Sequence, residues 1–481
     1  MDTVLSPAGV GEWSAADVPA SVEMSRRLRE TGVSAGDRVM LKADNSVAFA
    51  VVLFALIHLD VSLVLVDHQQ TAEESQRAVE LAKVEWVLLG DDISAPSGVR
   101  AIRFERLLDG VAGAGSGAGT LDLDRWRRRR DALITWSSGS TGRPKGVVRS
   151  GEAFLGNVER TGKAMGYRPT DMFLPLLPFS HQYGLSLLFL ALLSGAGVLV
   201  GPYRRLGAVL RSAYRATVLD ATPATYRSLV SLLERRPELG SRLKSVRLFC
   251  TGGAPLDARF SERFREVFGH PLLDGYGSTE LGNVALATPE TPVGCGHALD
   301  GIELGILRDD GRAAPAGEVG EVAVRSPDVM EGYLAADGTV DPAPPPPYRT
   351  RDLGYLDDQG HLFVLGRRQA VHRLGHTLYP EALERRAEAI GRAVAVVPLD
   401  DERRGCTLIF AVEDPGGADA RAWRRRISSH LAPYEQPDQV VVLDRFPVNR
   451  NGKTDRTELR RVCWEAVFRP SAPAAGGDSR A

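Results

Sequence analysis

Apolar residues in this chain gather into short continuous blocks separated by amphipathic stretches, and the alternation repeats through much of its length. The blocks at 38–42, 61–66 and 86–89 are only four to six residues long. A strand apolar on both faces needs cover on both, so these blocks predict a parallel sheet packed between helices. Segments 21–30, 46–59 and 72–82 carry the helical pattern that supplies the cover. The alternation resumes with strands predicted at 133–136, 171–176, 197–200, 217–220, 246–250 and 271–274, and with a helix at 257–267. From residue 301 the period changes. Segments 302–307 and 320–325 alternate as antiparallel strands do, joined by a Gly/Pro turn. The proline-rich stretch 342–347 predicts a stiff, extended excursion. A boundary falls at 366–369, followed by an α+β pattern with a helix at 380–389 and strands at 393–397 and 407–412. Segment 112–119, almost wholly Ala, Gly and Ser, predicts a flexible loop.

Two apolar runs, 47–66 and 184–201, approach the length of a membrane span. His58 and Asp60 interrupt the first, and Ser194-Gly195-Ala196-Gly197 breaks the second. A charge at the centre of a span costs roughly 2.5–3.5 kcal/mol. Each run is therefore read as a buried helix turning into a buried strand. A length of 481 residues exceeds one ordinary core and predicts two or three domains. A net charge of −2 argues against a nucleic-acid or membrane-surface partner held by bulk charge. The arginine runs at 127–130 and 424–426 are read as solvated faces. Cys250, Cys295, Cys406 and Cys463 show no paired spacing, which fits reduced thiols in the cytoplasm and no zinc site. The first residues lack the basic and apolar regions of a signal peptide, so a cytoplasmic location is expected.

The densest chemical signal is Ser137-Ser138-Gly139-Ser140-Thr141-Gly142-Arg143-Pro144-Lys145-Gly146, reached from an apolar strand. Hydroxyls interspersed with glycines make a loop whose backbone N–H groups can wrap phosphate oxygens, and Lys145 adds positive charge at its end. The spacing is not that of the NTPase P-loop, because Lys145 follows Pro144, and Pro447 stands where Gly452-Lys453-Thr454 would need its first glycine. The dinucleotide fingerprint is also missing, since Ala118 occupies the third-glycine position after Gly113 and Gly115.

The ten-residue order resembles the phosphate loop of the adenylate-forming superfamily, which holds acyl- and aryl-CoA synthetases, peptide-synthetase adenylation domains and luciferases. Further motifs follow in that family's order. Leu177-Pro178-Phe179-Ser180-His181-Gln182-Tyr183-Gly184 resembles the next, and implies His181 beside the pocket for the substrate carboxylate. Thr251-Gly252-Gly253-Ala254 matches the Gly-Gly-Ala segment, where small residues let adenine and substrate approach the backbone. Asp274-Gly275-Tyr276-Gly277-Ser278-Thr279-Glu280 is the second strong signature. It implies Tyr276 against adenine, Thr279 toward the α-phosphate and Glu280 as an oxygen ligand for the Mg²⁺ that accompanies ATP. Asp352, in Tyr348-Arg349-Thr350-Arg351-Asp352, would accept from both ribose hydroxyls, with Arg367 as a second ribose contact. Lys453, in a Gly-Lys after an apolar strand, matches the catalytic lysine near the C-terminus.

The resemblance spans about residues 20–465 and implies an α/β protein. Residues 1–366 would form a large N-terminal domain of helix-covered, mostly parallel sheets plus a β-rich subdomain. Residues 367–468 would form a small mobile α+β domain carrying Lys453, with 469–481 a disordered tail. The implied reaction is activation of a small carboxylic acid by ATP, releasing pyrophosphate, then transfer to a thiol. CoA or a phosphopantetheine-bearing acyl carrier protein would be the acceptor, and the enzyme would be a monomer or homodimer. Two alternatives stand: a free-standing adenylating enzyme serving a carrier protein or a non-thiol nucleophile, and a nucleotide-binding homologue without catalysis. The hinge departs from the family pattern. It is one residue short, with Gln369, His372 or Arg373, and Thr377 where Asp, Lys and Arg are common, which puts the acceptor step in question. Gln182 follows His181 where amino-acid-activating relatives carry Asp, so an acyl or aryl acid is expected.

Overall fold

A computed structural model describes residues 10–90, 92–108, 119–137, 144–256, 258–366, 370–417, 419–447 and 454–469. The described chain divides into two compact units. The first takes in residues up to 366 together with Leu374–His376, and the second takes in 370–373 and the chain from Thr377 onward. Residues 112–118 of the loop read at 112–119, and residues 470–481 of the tail read at 469–481, lie outside the described residues.

Two eight-stranded sheets dominate the first unit. One runs in the order Gly11–Trp13, Gly197–Val200, Met172–Pro175, Val218–Ala221, Leu248–Gly252, Leu272–Ser278, Gly282–Leu286, His297–Ala298. Its central five strands are parallel. The other runs Val340–Pro342, Gly332–Leu334, Lys145–Arg149, Leu133–Ser137, Ser62–Leu65, Arg38–Lys42, Trp86–Leu89, Arg100–Arg103, and is parallel from Leu133–Ser137 onward. The helix Val47–His58 starts at Ser46, whose side chain accepts from the Phe49 N–H, and every residue from Val47 to Ile57 is buried. Its apolarity reflects core packing, and no described helix is long and apolar enough to cross a membrane.

A four-stranded antiparallel sheet, Glu303–Leu307, Gly320–Arg325, Tyr348–Leu356, Leu362–Gly366, forms where the sequence period changes. In the second unit Val394–Asp401, Gly405–Glu413 and Gln439–Leu443 make a three-stranded sheet, with Pro380–Ala387 and Ala420–Ser428 as helices. Arg424, Arg425 and Arg426 are exposed on the latter, as a solvated face requires.

Two differences from the sequence expectation bear on the site. Lys145–Arg149, not anticipated as a strand, pairs antiparallel with Leu133–Ser137, Ser137 opposite Lys145. Gly146 lets Leu334 pack close there, since a Cβ would come within 2.7 Å of Leu334 Cδ1. The strand predicted to end at 274 runs to Ser278. Its glycines are sheet residues in close contact with neighbours: a Cβ at Gly277 would meet the Gly282 carbonyl at 2.5 Å, and one at Gly275 would meet Leu286 Cδ2 at 2.7 Å.

Candidate functional site

Strand ends from both large sheets converge on one cleft. Ser62–Leu65 leads to Asp67 and Gln70, Met172–Pro175 to Ser180, His181 and Gln182, and Leu272–Ser278 to Thr279. Together with Thr135 and Trp136 they line this cleft. Collecting polar residues beyond the carboxyl ends of parallel strands is the usual way an open α/β sheet builds a ligand crevice.

His181 N-caps the helix Gln182–Ser194 in an extended conformation. Its Nε2 lies 3.1 Å from Asp67 Oδ2, which also accepts from Ser180 Oγ at 3.1 Å. The Gln69 N–H donates to Asp67 Oδ1 at 2.8 Å. Burial opposes ionisation of Asp67. The His181 hydrogen bond, the charges of His181 and His68, and the Gln69 N–H outweigh it and hold the carboxyl below the usual carboxylate range. An ionised Asp67 only accepts, so Nε2 carries the ring proton in this pair. Behind it, Lys42 Nζ donates to the Gln70 carbonyl at 2.8 Å and to Ser75 Oγ at 2.6 Å. Asp67 escapes a motif search. The signal for it is the polar run Asp67-His68-Gln69-Gln70 directly after a fully apolar strand.

Glu280 is buried, and its Oε1 accepts from the Tyr333 hydroxyl at 3.1 Å. That hydroxyl lies 3.1 Å from the hydroxyl of Tyr348. Lys145 Nζ stands over the Tyr333 ring, 4.8 Å from its centre. Burial first, then the Glu280 charge, raises the Tyr333 hydroxyl above its ordinary value. Tyr333 therefore links Lys145 to Glu280, and no sequence motif pointed to it. Elsewhere in the unit the Tyr276 hydroxyl donates to Asp352 Oδ2 at 2.7 Å, with both residues buried. Gly253 takes a φ of +81°, which favours glycine, and Ala254 follows it.

Asp274 and Gly275 lie within the strand, opposite Thr251 and Gly252. Asp274 Oδ2 accepts from Cys295 Sγ at 3.3 Å. Burial pushes this carboxyl up to about 7, and the Cys295 thiol and Gly275 N–H offset only part of that. A carboxyl raised in the folded state stabilises the fold most when protonated, near pH 4, and the contribution is lost as pH rises through about 7. Asp274→Asn is therefore expected to match the parent in unfolding free energy near pH 4. It should exceed the parent above pH 7, by up to about 4 kcal/mol at 1.4 kcal/mol per pH unit. Urea melts of both proteins from pH 4 to 8.5 test this, and a pH-independent gap contradicts it.

Arg367, Lys453 and Ser138, Gly139, Ser140, Thr141 and Gly142 lie outside the described residues. Ser137 and Lys145 are the last described pair on either side of the loop.

Residues 19–334 match the family model described as AMP-binding enzyme. The chain is 28% identical over 462 residues to a 2-succinylbenzoate–CoA ligase of Bacillus pumilus, covering 93% of each chain. Among solved structures it resembles an o-succinylbenzoate CoA synthetase double mutant from Bacillus subtilis bound to a product analogue, with 26% identity, a TM-score of 0.77 and 92% of each chain covered. It is equally similar in fold to an amide bond synthetase from Marinactinospora thermotolerans, at 25% identity and a TM-score of 0.77, over 96% of this chain and 98% of that one.

Proposed function

This chain belongs to the AMP-binding enzyme family, and we propose that it joins an acyl or aryl carboxylic acid to the thiol of CoA through an acyl-adenylate. The carboxylate oxygen attacks the α-phosphorus of ATP, and the bond to the bridging oxygen breaks and releases pyrophosphate. The thiol, losing its proton, then attacks the acyl carbon and AMP leaves. Holding the reacting groups in line supplies much of the barrier reduction. The observation that carries this reading is the convergence of His181 and Thr279 on one cleft from motifs about one hundred residues apart, together with similarity to CoA ligases over nearly the whole chain.

In this assignment Tyr276 and Asp352 take the nucleoside, Thr279 and Lys145 the phosphates, and His181 the substrate carboxylate. Residues 138–142, Arg367 and Lys453 keep the roles their motifs imply. Glu280 fits the Mg²⁺ carried by ATP: it is a single hard carboxylate, and Mg²⁺ is commonly held by one or two carboxylates plus substrate phosphates. Among the described residues no cluster of three or more His, Cys, Asp or Glu could hold a metal by itself.

A second reading has specific support. The amide bond synthetase matches this fold as well as the CoA synthetase does, and Gln369, His372 and Thr377 depart from the common hinge pattern. An amine would then attack the same adenylate. Pyrophosphate release across aliphatic and aryl acids, with CoA, an amine or neither, tests both readings. Thioester formed only with CoA supports the first, amide formed only with the amine supports the second, and no pyrophosphate with any acid refutes both.

Asp67 is a positioning residue for His181. Asp67→Asn removes a charged acceptor, and such hydrogen bonds are worth about 1.5–3 kcal/mol, or roughly 10–100-fold. The KM for the acid is expected to rise by about that factor while the KM for ATP stays unchanged. Equal shifts in both would show that Asp67 acts on the fold as a whole.

A further inference from the structure

Tyr333 serves two charged groups with opposite ends of one side chain. It stands on the strand Gly332–Leu334, opposite Val147 of Lys145–Arg149. Alternation along the latter strand puts Lys145 and Val147 on the same face. Lys145 is therefore a diagonal neighbour of Tyr333 across the pair. This register brings Lys145 Nζ to 4.8 Å from the centre of the Tyr333 ring. The far end of the side chain reaches another element, where the hydroxyl donates to Glu280 Oε1 at 3.1 Å. The main chain of Glu280 is tied to the approach to the same strand, its carbonyl accepting from the Met330 N–H at 2.8 Å.

The direction of these hydrogen bonds follows from their chemistry. A carboxylate that ligates a metal is ionised and only accepts. Tyr333 has one hydroxyl proton and gives it to Glu280. The Tyr348 hydroxyl, 3.1 Å from that of Tyr333, is then the donor in the second bond. Two hydroxyls in series polarise one another, which strengthens the one that meets the carboxylate. Glu280 and Tyr348 are both buried, so water contributes little to this chain. Oε1 is thus fixed by Tyr333, and among the described residues nothing donates to Oε2. One oxygen orients the carboxylate and the other is presented to a cation. A single oxygen suits an ion that takes the rest of its ligands from phosphates and water.

We propose that Tyr333 is a positioning residue for the nucleotide phosphates, its hydroxyl fixing Glu280 for the divalent cation and its ring holding the Lys145 ammonium. The proposal rests on the acid-activation reading and deepens its nucleotide side. The two tasks use different atoms, so substitution separates them. Tyr333→Phe removes the hydroxyl and keeps the aromatic face. Tyr333→Leu removes both.

The test is calorimetric titration of the purified full chain with ATP, without acid, once in saturating Mg²⁺ and once in EDTA. Tyr333→Phe is expected to lower the affinity in Mg²⁺ roughly tenfold or more, as loss of a hydrogen bond to a charged group does. Its affinity in EDTA should stay within about twofold of wild type. Tyr333→Leu should lower the affinity in EDTA as well, by about fivefold or more, because the cation–π contact to Lys145 is then gone. Wild-type affinity of Tyr333→Phe in Mg²⁺, or equal losses in Mg²⁺ and EDTA as a merely structural role would give, overturns the hydroxyl's task. Tyr333→Leu no weaker than Tyr333→Phe in EDTA overturns the ring's. If Tyr333→Leu does not fold, Tyr333→Met gives the same readout. A wild-type chain that binds ATP but releases pyrophosphate with no acid refutes the acid-activation reading instead. Neither titration needs an acid, so the two failures are distinguishable.

Discussion

Lys453→Ala is expected to slow adenylate formation by roughly 10²–10³-fold while leaving ATP affinity within about twofold of wild type. Attack on the α-phosphorus gathers negative charge on its oxygens and on the departing pyrophosphate. A lysine that meets this charge only as it develops stabilises the transition state more than bound ATP, so its loss appears in the rate and not in the ground-state affinity. The magnitude follows from about 3–4 kcal/mol for one preorganised donor in a site closed to water. The Asp455 N–H donates to the Pro447 carbonyl at 2.8 Å, tying together the two ends of the segment that carries Lys453. Asp455 also caps the helix Arg456–Phe468, accepting from the N–H groups of Thr457 and Glu458 at 3.1 Å each. Single-turnover adenylate formation and ATP titration by calorimetry are the measurements. An unchanged single-turnover rate removes Lys453 from the adenylation step.

Asp352→Ala is expected to weaken nucleotide binding by at least about 100-fold. A carboxylate that accepts from both ribose hydroxyls makes two charge-assisted hydrogen bonds, worth about 1.5–3 kcal/mol each. Asp352 already accepts from the Tyr276 hydroxyl at 2.7 Å, which separates two roles. If Asp352 serves mainly to orient Tyr276, then Tyr276→Phe should reproduce the whole loss. If it bonds ribose directly, Tyr276→Phe should cost roughly tenfold or less and Asp352→Ala much more. Calorimetric titration of AMP against both variants distinguishes these outcomes, and an Asp352→Ala protein with wild-type affinity excludes the ribose role.

Much of the architecture is legible in the chain because its cause is local. Arg38–Lys42, Ala72–Ala82, Trp86–Leu89, Gly197–Val200 and Gly320–Arg325 occur at their expected bounds. Each is a short apolar block or amphipathic run ended by capping or turn residues, and those signals act within a few positions. Thr71 and Glu74, for example, close a reciprocal cap on the first turn of the helix Ala72–Ala82. The strand Lys145–Arg149 was not legible. It begins with a lysine and a glycine, and its stability comes from pairing with Leu133–Ser137 on one side and Gly332–Leu334 on the other. Propensity is a poor guide to a strand whose neighbours decide it.

The candidate site divides in the same way. Motif order along the chain singled out His181, Tyr276, Thr279, Glu280, Asp352 and Lys453, because each motif is a continuous run whose residue types suit one task. What the sequence could not supply is which of these side chains meet, and what stands behind them. Asp67 bonds His181 across 114 positions, Tyr276 bonds Asp352 across 76, and Tyr333 bonds Glu280 across 53. Asp220 reads as one acid inside an apolar strand until the sheet places it beneath Tyr183 with an oxygen unfilled. Hydrophobic period and turn chemistry are properties of neighbours in sequence, and they determined the α/β class and most of its elements. Charge pairing and desolvation depend on distance in space. Only the tertiary arrangement, which brings strands and strand ends from remote segments side by side, decided those.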